Sequence, residues 1–266
     1  MNLSVFWVDR TRPRPAMGHH FHRLRRRPRN AATARAVVAE VVGTFILVLT
    51  IASAVIGASL AKPIAGAPYG SLTVAVAGGL ALVVAVAVLG PVSGAHLNPA
   101  VTLALAVNRR FSWKSVPVYL ASQLGGAIAA ALAAWALFGD RARVVVHLGA
   151  SFPAVGTGAW QAFVAETAGT FILVLAIIWA VIDRGAPPAF ATVTIGAALA
   201  TAILSSGPIS GAGLNPARAI GPMIVAGKFT DWWVYVTAPL LGATLAATLY
   251  DKAFRTGAGP EPAREQ

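Results

Sequence analysis

In this chain of 266 residues only 11 % are charged and 57 % are apolar, which excludes an ordinary soluble domain, where about 25 % are charged. A mean hydropathy of +0.70 reads as a polytopic membrane protein, and the lack of cysteine rules out disulfides, thiol chemistry and thiolate metal sites. The net charge of +12 is mostly local, with nine of the 21 basic residues between Arg10 and Arg35.

Residues 1–32 are expected to be a basic, disordered arm outside the fold. Its positive charge suits a cytoplasmic tail that obeys the positive-inside rule and touches anionic lipid, and nucleic-acid binding is not expected. An Arg-rich, acid-poor start also fits a transit peptide, and Met17 offers an alternative initiator. His19, His20 and His22 have no evident partners, so neither a metal site nor a cofactor is expected.

Six stretches are long enough to span a hydrocarbon core, which takes about 20 helical residues. They lie near 35–60, 71–92, 115–138, 160–182, 190–207 and 232–251, separated by Lys62-Pro63, Arg109-Arg110, Gly139-Asp140-Arg141, Asp183-Arg184-Gly185 and Lys228. A C-terminal tail, 253–266, follows an apolar domain over 33–252.

That domain repeats. Ala39–Leu49 matches Ala165–Leu175 at nine of eleven positions, an offset of 126 residues. PVSGAHLNPAVT (Pro91–Thr102) is echoed by PISGAGLNPARA (Pro208–Ala219), with the two Asn-Pro-Ala boxes 117 residues apart. The halves are about 33–139 and 158–252. Three spans per half is odd, so the second half is expected to be inserted upside down, the inverted-repeat logic of transport proteins. With the basic arm inside, Arg109, Arg110 and Lys114 fall on the cytoplasmic side, as do both termini. Lys62, Arg141, Arg143 and Lys228 then fall outside.

Each box reads as the start of a short helix. Pro is favoured at the first helical position and Asn just before it is a strong cap. Asn98, Pro99 and Ala100 therefore open a half-helix near 98–107, and Asn215, Pro216 and Ala217 open another near 215–225. Half-helices entering from opposite faces would meet at their positive ends in mid-membrane, where they repel cations and protons. The Asn side chains would offer N–H donors to a passing oxygen.

With these residues the chain resembles the major intrinsic protein family, the aquaporins and glycerol-type facilitators, over about residues 35–252. The boxes, the paired Ala-Glu-x-x-Gly-Thr-Phe openings, Gln123-Leu-Gly-Gly-Ala, Arg218 after the second box and Pro239-Leu-Leu-Gly carry the likeness. The resemblance implies an all-α membrane protein of six transmembrane helices plus two re-entrant half-helices. It also implies a homotetramer with one pore per subunit, seated in the plasma (inner) membrane.

The family's pattern places Arg218 at an outer selectivity constriction. Counting from the boxes puts the other wall residues at Gly78, Ile203 and Ala212. Water-selective members have a bulky aromatic and His at the first two; glycerol facilitators have aromatics at the first and third, and Asp where this chain has Ala219. The set here most resembles the wide filters of nodulin-26-like channels, and Tyr235-Val236 ahead of Pro239 points the same way. A ring replaced by hydrogen at Gly78 is expected to widen the pore; a neighbouring Gly79 makes a one-residue miscount harmless. The alternative for Gly78 is helix packing, as expected also of Gly43, Gly125, Gly126, Gly169 and Gly242.

Glu40 and Glu166 are repeat-related intramembrane acids. Accepting hydrogen bonds from the re-entrant loops, as in relatives, is favoured over proton relay. His96 either lines the inner vestibule or packs. The expected function is passive passage of water and small uncharged solutes (glycerol, urea, boric or arsenous acid), with ions and protons excluded. The alternatives are a strictly water-selective channel and an ion-coupled secondary transporter. No enzyme is expected, since no nucleophile has an evident base and no catalytic residue stands out.

Overall fold

A computed structural model describes residues 34–60, 70–182 and 187–254, all within one compact unit, Ala31–Gln266. The basic arm, Lys62-Pro63, the Asp183–Gly185 loop and most of the C-terminal tail lie outside the described residues. The described residues form helices and no strands.

The order is α1 (Ala34–Ser59), α2 (Ser71–Ser93), the half-helix α3 (Pro99–Val107), α4 (Val116–Val145), α5 (Ala159–Ile182), α6 (Pro188–Ser210), the half-helix α7 (Pro216–Ala226) and α8 (Val234–Leu249). Five of these, α1, α2, α4, α5 and α6, are long and apolar enough to cross a membrane. The sixth span, α8, has 16 helical residues and is prolonged by a π turn, Tyr250–Phe254. In α4 the helical path breaks at Gly139 (φ 74°, ψ −174°), so the span itself stops where the sequence placed its end.

Packing repeats as the sequence does. In the first half α1 lies against α2 and α4; in the second α5 lies against α6 and α8. Gly126 lets α4 approach the Val41 carbonyl of α1, and Gly242 lets α8 approach the Thr167 carbonyl of α5. Any side chain at either would strike backbone. Gly125 instead faces open space, so the close-approach role expected of it is wrong: it lies one residue round the helix from the contact face. The halves interlock, with α2 on α6 and each half-helix on the last helix of the other half, α3 on α8 and α7 on α4. One ion pair, Arg110 Nη2 to Asp251 Oδ1 at 2.9 Å, ties the loop after α3 to the end of α8.

Candidate pore and selectivity filter

Both half-helices start as their sequence dictates. Asn98 has extended backbone and its Oδ1 accepts from Ala100 N at 2.8 Å; Pro99 is the first helical residue. Asn215 Oδ1 accepts from Ala217 N at 3.0 Å and Arg218 N at 3.3 Å, ahead of Pro216. The two N-termini abut. Asn98 Nδ2 donates to the Leu214 carbonyl at 2.9 Å, and Asn215 Nδ2 donates to the Leu97 carbonyl at 2.8 Å. An amide carries two N–H groups. One from each Asn is thus committed to the opposite loop.

The loops leading in are unusual backbone. Gly94 and Gly211 end α2 and α6 in the left-handed region, at φ 89° and 74°. Ala95 and Leu97 follow at φ 46° and 54°, and Ala212 and Leu214 at 47° and 57°. Left-handed non-glycine residues cost roughly 1–3 kcal/mol each and need outside support.

The two acids supply it. Glu40 Oε1 accepts from Ser93 Oγ (2.7 Å) and His96 N (3.0 Å), and Oε2 from Leu97 N (2.8 Å) and Gln123 Nε2 (2.8 Å). Glu166 Oε1 accepts from Ser210 Oγ (2.6 Å) and Gly213 N (2.7 Å), and Oε2 from Leu214 N (2.6 Å). Both are 0 % exposed. A carboxylate offers about four lone-pair sites, so Glu40 is saturated as an acceptor. Each acid thus receives backbone N–H groups of the re-entrant loop that it faces.

Several partners in this brace were missed by sequence reasoning. Tyr119 donates its hydroxyl to Ser93 O at 2.8 Å, and Tyr235 to Ser210 O at 2.7 Å. Each Tyr lies seven residues before the repeat-related Gly126 or Gly242, a signal available in the sequence. Tyr235 thus holds a loop, which accounts for its presence without reference to filter width. Thr102 Oγ1 receives Gln123 Nε2 at 3.0 Å and donates to Asn98 O at 3.1 Å.

His96 is buried, with Nδ1 3.1 Å from Thr102 Oγ1 and its ring 4.6 Å from Phe111 and 5.0 Å from Tyr119. In the second half the matching residue is Gly213, where a Cβ would lie 2.7 Å from Tyr235 Cδ1. The first half therefore holds an imidazole beside Tyr119, where in the second half Tyr235 packs directly on Gly213.

The four counted wall residues fall into two observed groups. Gly78, Ile203 and Ala212 are neighbours: a Cβ on Gly78 would lie 2.7 Å from Ile203 Cδ1, and one on Gly207 would lie 3.9 Å from both Ile203 Cγ2 and Ala212 Cβ. Arg218, 3 % exposed, leaves the first turn of α7, and its Nε and Nη1 have no hydrogen-bond partner among the described residues. Gly79 is not equivalent to Gly78. Its Cβ would lie 2.7 Å from Gly196 O on α6, so it is a helix-crossing position. The space before Gly78 is also occupied, by Ile203 and by Ile51 of α1, and so the widening expected from a missing ring is partly filled.

A sequence model described as Major intrinsic protein matches residues 27–250. The chain belongs to the major intrinsic protein family. It is 39 % identical over 218 residues to Aquaporin NIP1-3 of Oryza sativa subsp. japonica, covering 82 % of this chain and 73 % of that one. It is 37 % identical over 237 residues to Aquaporin AqpM of Methanothermobacter thermautotrophicus, covering 80 % and 94 %. Among solved structures it is similar to the aquaglyceroporin from Plasmodium falciparum, with TM-score 0.73, 25 % identity and coverage of 82 % of this chain and 96 % of that one. Kinship with nodulin-26-like intrinsic proteins, the aquaporin-like fold and a multi-pass membrane protein all follow. The protein is a passive channel for water and small solutes, not an enzyme or a coupled transporter.

Proposed function

We propose that this major intrinsic protein passes water together with small uncharged polar solutes, namely glycerol, urea and metalloid acids such as boric or arsenous acid, and excludes protons and ions. The filter is Gly78, Ile203, Ala212 and Arg218, and the pore centre is Asn98-Pro99-Ala100 with Asn215-Pro216-Ala217. The reading rests on one observation. Arg218 Nε and Nη1 are buried without a hydrogen-bond partner among the described residues, while the positions counted as the other filter walls carry neither an aromatic ring nor a His. A small uncharged polar solute needs donors on one side and an apolar surface on the other, which is what Arg218 beside aliphatic wall residues would supply. Abutting half-helix N-termini and the Arg218 charge oppose cations.

Around this channel, residues 33–252 form the conducting domain in the plasma (inner) membrane. The basic arm and the tail lie on the cytoplasmic side, the arm against anionic lipid, and four copies assemble with one pore each. The crowding of Ile51 and Ile203 before Gly78 favours a second reading, strict water selectivity.

Stopped-flow light scattering on proteoliposomes separates them. An impermeant osmolyte, glycerol, urea and boric acid are applied in turn. Fast shrinkage followed by fast reswelling with the solutes supports the first reading. Shrinkage without reswelling establishes the second.

A further inference from the structure

We infer that Ile51, on α1, is a specificity-determining residue of the outer constriction, filling with Ile203 the space that Gly78 leaves and so setting the width of the passage. The inference rests on the filter assignment above. A Cβ on Gly78 would lie 2.7 Å from Ile203 Cδ1 and 3.2 and 3.3 Å from Ile51 Cγ1 and Cδ1. Three helices thus meet at one point: α1 through Ile51, α2 through Gly78 and α6 through Ile203. Ile203 reaches both ways, its Cδ1 toward Gly78 and its Cγ2 toward the Gly207–Ala212 side. Ile51 and Ile203 are 4 % and 6 % exposed and belong to one apolar cluster with Ala212, Leu97 and Leu214.

The steric consequence is specific. Isoleucine is branched at Cβ and has few rotamers, so two isoleucines converging on one point restrict each other. Ile203 cannot swing toward α1 while Ile51 stands there. Shortening Ile51 frees that volume, either directly or by letting Ile203 retreat into it, and the passage widens on its apolar side. Arg218, on another element, keeps its donors. A change at Ile51 therefore alters which solutes fit without altering the charge barrier.

The test uses full-length protein in proteoliposomes, with Ile51→Val, Ile51→Ala and Ile203→Ala. The readout is the ratio of glycerol to water permeability, and of a four-carbon polyol to water. A ratio is insensitive to how much protein is folded, so reduced yield of the Ala variant does not mimic the effect, and the milder Val variant covers its outright failure to fold. Both ratios rise severalfold for Ile51→Ala, rise less for Ile51→Val, and rise for Ile203→Ala. If Ile203→Ala raises them and neither Ile51 variant does, Ile51 is only core and the inference is overturned while the filter assignment stands. If no variant changes either ratio, the filter assignment falls and the inference with it.

Discussion

The Asn98 side-chain amide donates to the carbonyl of Leu214 at 2.9 Å, fastening the cap of one half-helix to the loop that leads into the other. The reciprocal bond from Asn215 to Leu97 makes the joint symmetric. Each Asn therefore does two jobs, with Oδ1 capping its own helix and Nδ2 bridging the halves. Asn98→Asp separates them, because a carboxylate still caps Ala100 N yet cannot donate to Leu214. Asn98→Ala loses both and is expected to destabilise by about 1–2 kcal/mol for the cap alone. Thermal unfolding in detergent should place Asn98→Asp between wild type and Asn98→Ala. Equal unfolding of the two variants would mean that the cap contributes nothing, and Asn98→Asp unfolding with wild type would mean the same of the bridge.

The carboxylates give a second prediction. Glu166→Gln replaces one acceptor oxygen by an NH2 facing donors from Ser210, Gly213 or Leu214. At least one charge-assisted bond is lost and another weakened, at roughly 1.5–3 kcal/mol each. The variant should unfold earlier and yield less channel, with water permeability per assembled channel changed far less than yield. A proton current in wild-type bilayers that disappears in Glu166→Gln would instead revive the relay.

Much of this was legible in the sequence because inverted repetition wrote it twice. The Asn-Pro caps, the paired acids and the helix-approach glycines Gly126 and Gly242 recur in matched phrases, and local chemistry explains each. The loop brace was legible in part: Ser93 and Ser210 stand inside the repeated phrases, and Tyr119 and Tyr235 recur at a fixed spacing. What could not be read was which side of a helix faces which neighbour. Gly78 and Gly79 look alike in sequence, and a rotation of about 100° per residue sends one to Ile203 and the other to the backbone of α6. Ile51 carries no motif at all. Its position before Gly78 depends on how three helices cross, which no local pattern encodes. Left-handed Leu97 and Leu214 were equally hidden, since leucine does not announce that conformation.

That difference between adjacent glycines is testable. Gly79→Ala would place a Cβ 2.7 Å from the Gly196 carbonyl, and backbone there cannot yield cheaply. Overpacking of this kind costs typically 1–3 kcal/mol. Gly78→Ala meets only side-chain ends, so the Ile203 methyl can move aside. Gly79→Ala should lower the unfolding temperature more, and Gly78→Ala should change the solute-to-water permeability ratio more. The opposite ranking would place Gly79, not Gly78, at the filter.

Arg218 supplies a fourth. Its Nε and Nη1 are buried without partners among the described residues, an arrangement that is costly unless something in the passage accepts from them. Arg218→Val removes both donors and charge. Stability should change little or rise, because a buried charge is replaced by an apolar group, while cation leak should appear and urea should lose its advantage over apolar solutes. Planar-bilayer conductance measures the leak. A tight seal in Arg218→Val would assign ion exclusion to the half-helix dipoles alone.

The last prediction concerns the segment between α4 and α5. Lys228 Nζ lies 3.1 Å from His147 Nε2, and its ammonium also sits over the Phe152 ring, 5.1 Å from the centroid. An ammonium has no acceptor, so Nε2 must accept and the imidazole is neutral in this contact. Burial foremost, and then the Lys228 charge, hold the His147 pKa below its usual 6.5, against a hydrogen bond to the Arg143 backbone that raises it. The sign follows from proton binding. Below pH 6.5 the unfolded chain protonates first, so the contact is fully stabilising above that value and its contribution falls as pH drops through the lowered folded-state pKa. Lys228→Ala removes the second cause only, so the His147 pKa should rise yet stay below 6.5. An NMR titration of labelled histidine, read with and without Lys228, measures the shift directly. A His147 pKa unmoved by Lys228→Ala would show that burial acts alone and that the contact has no electrostatic consequence.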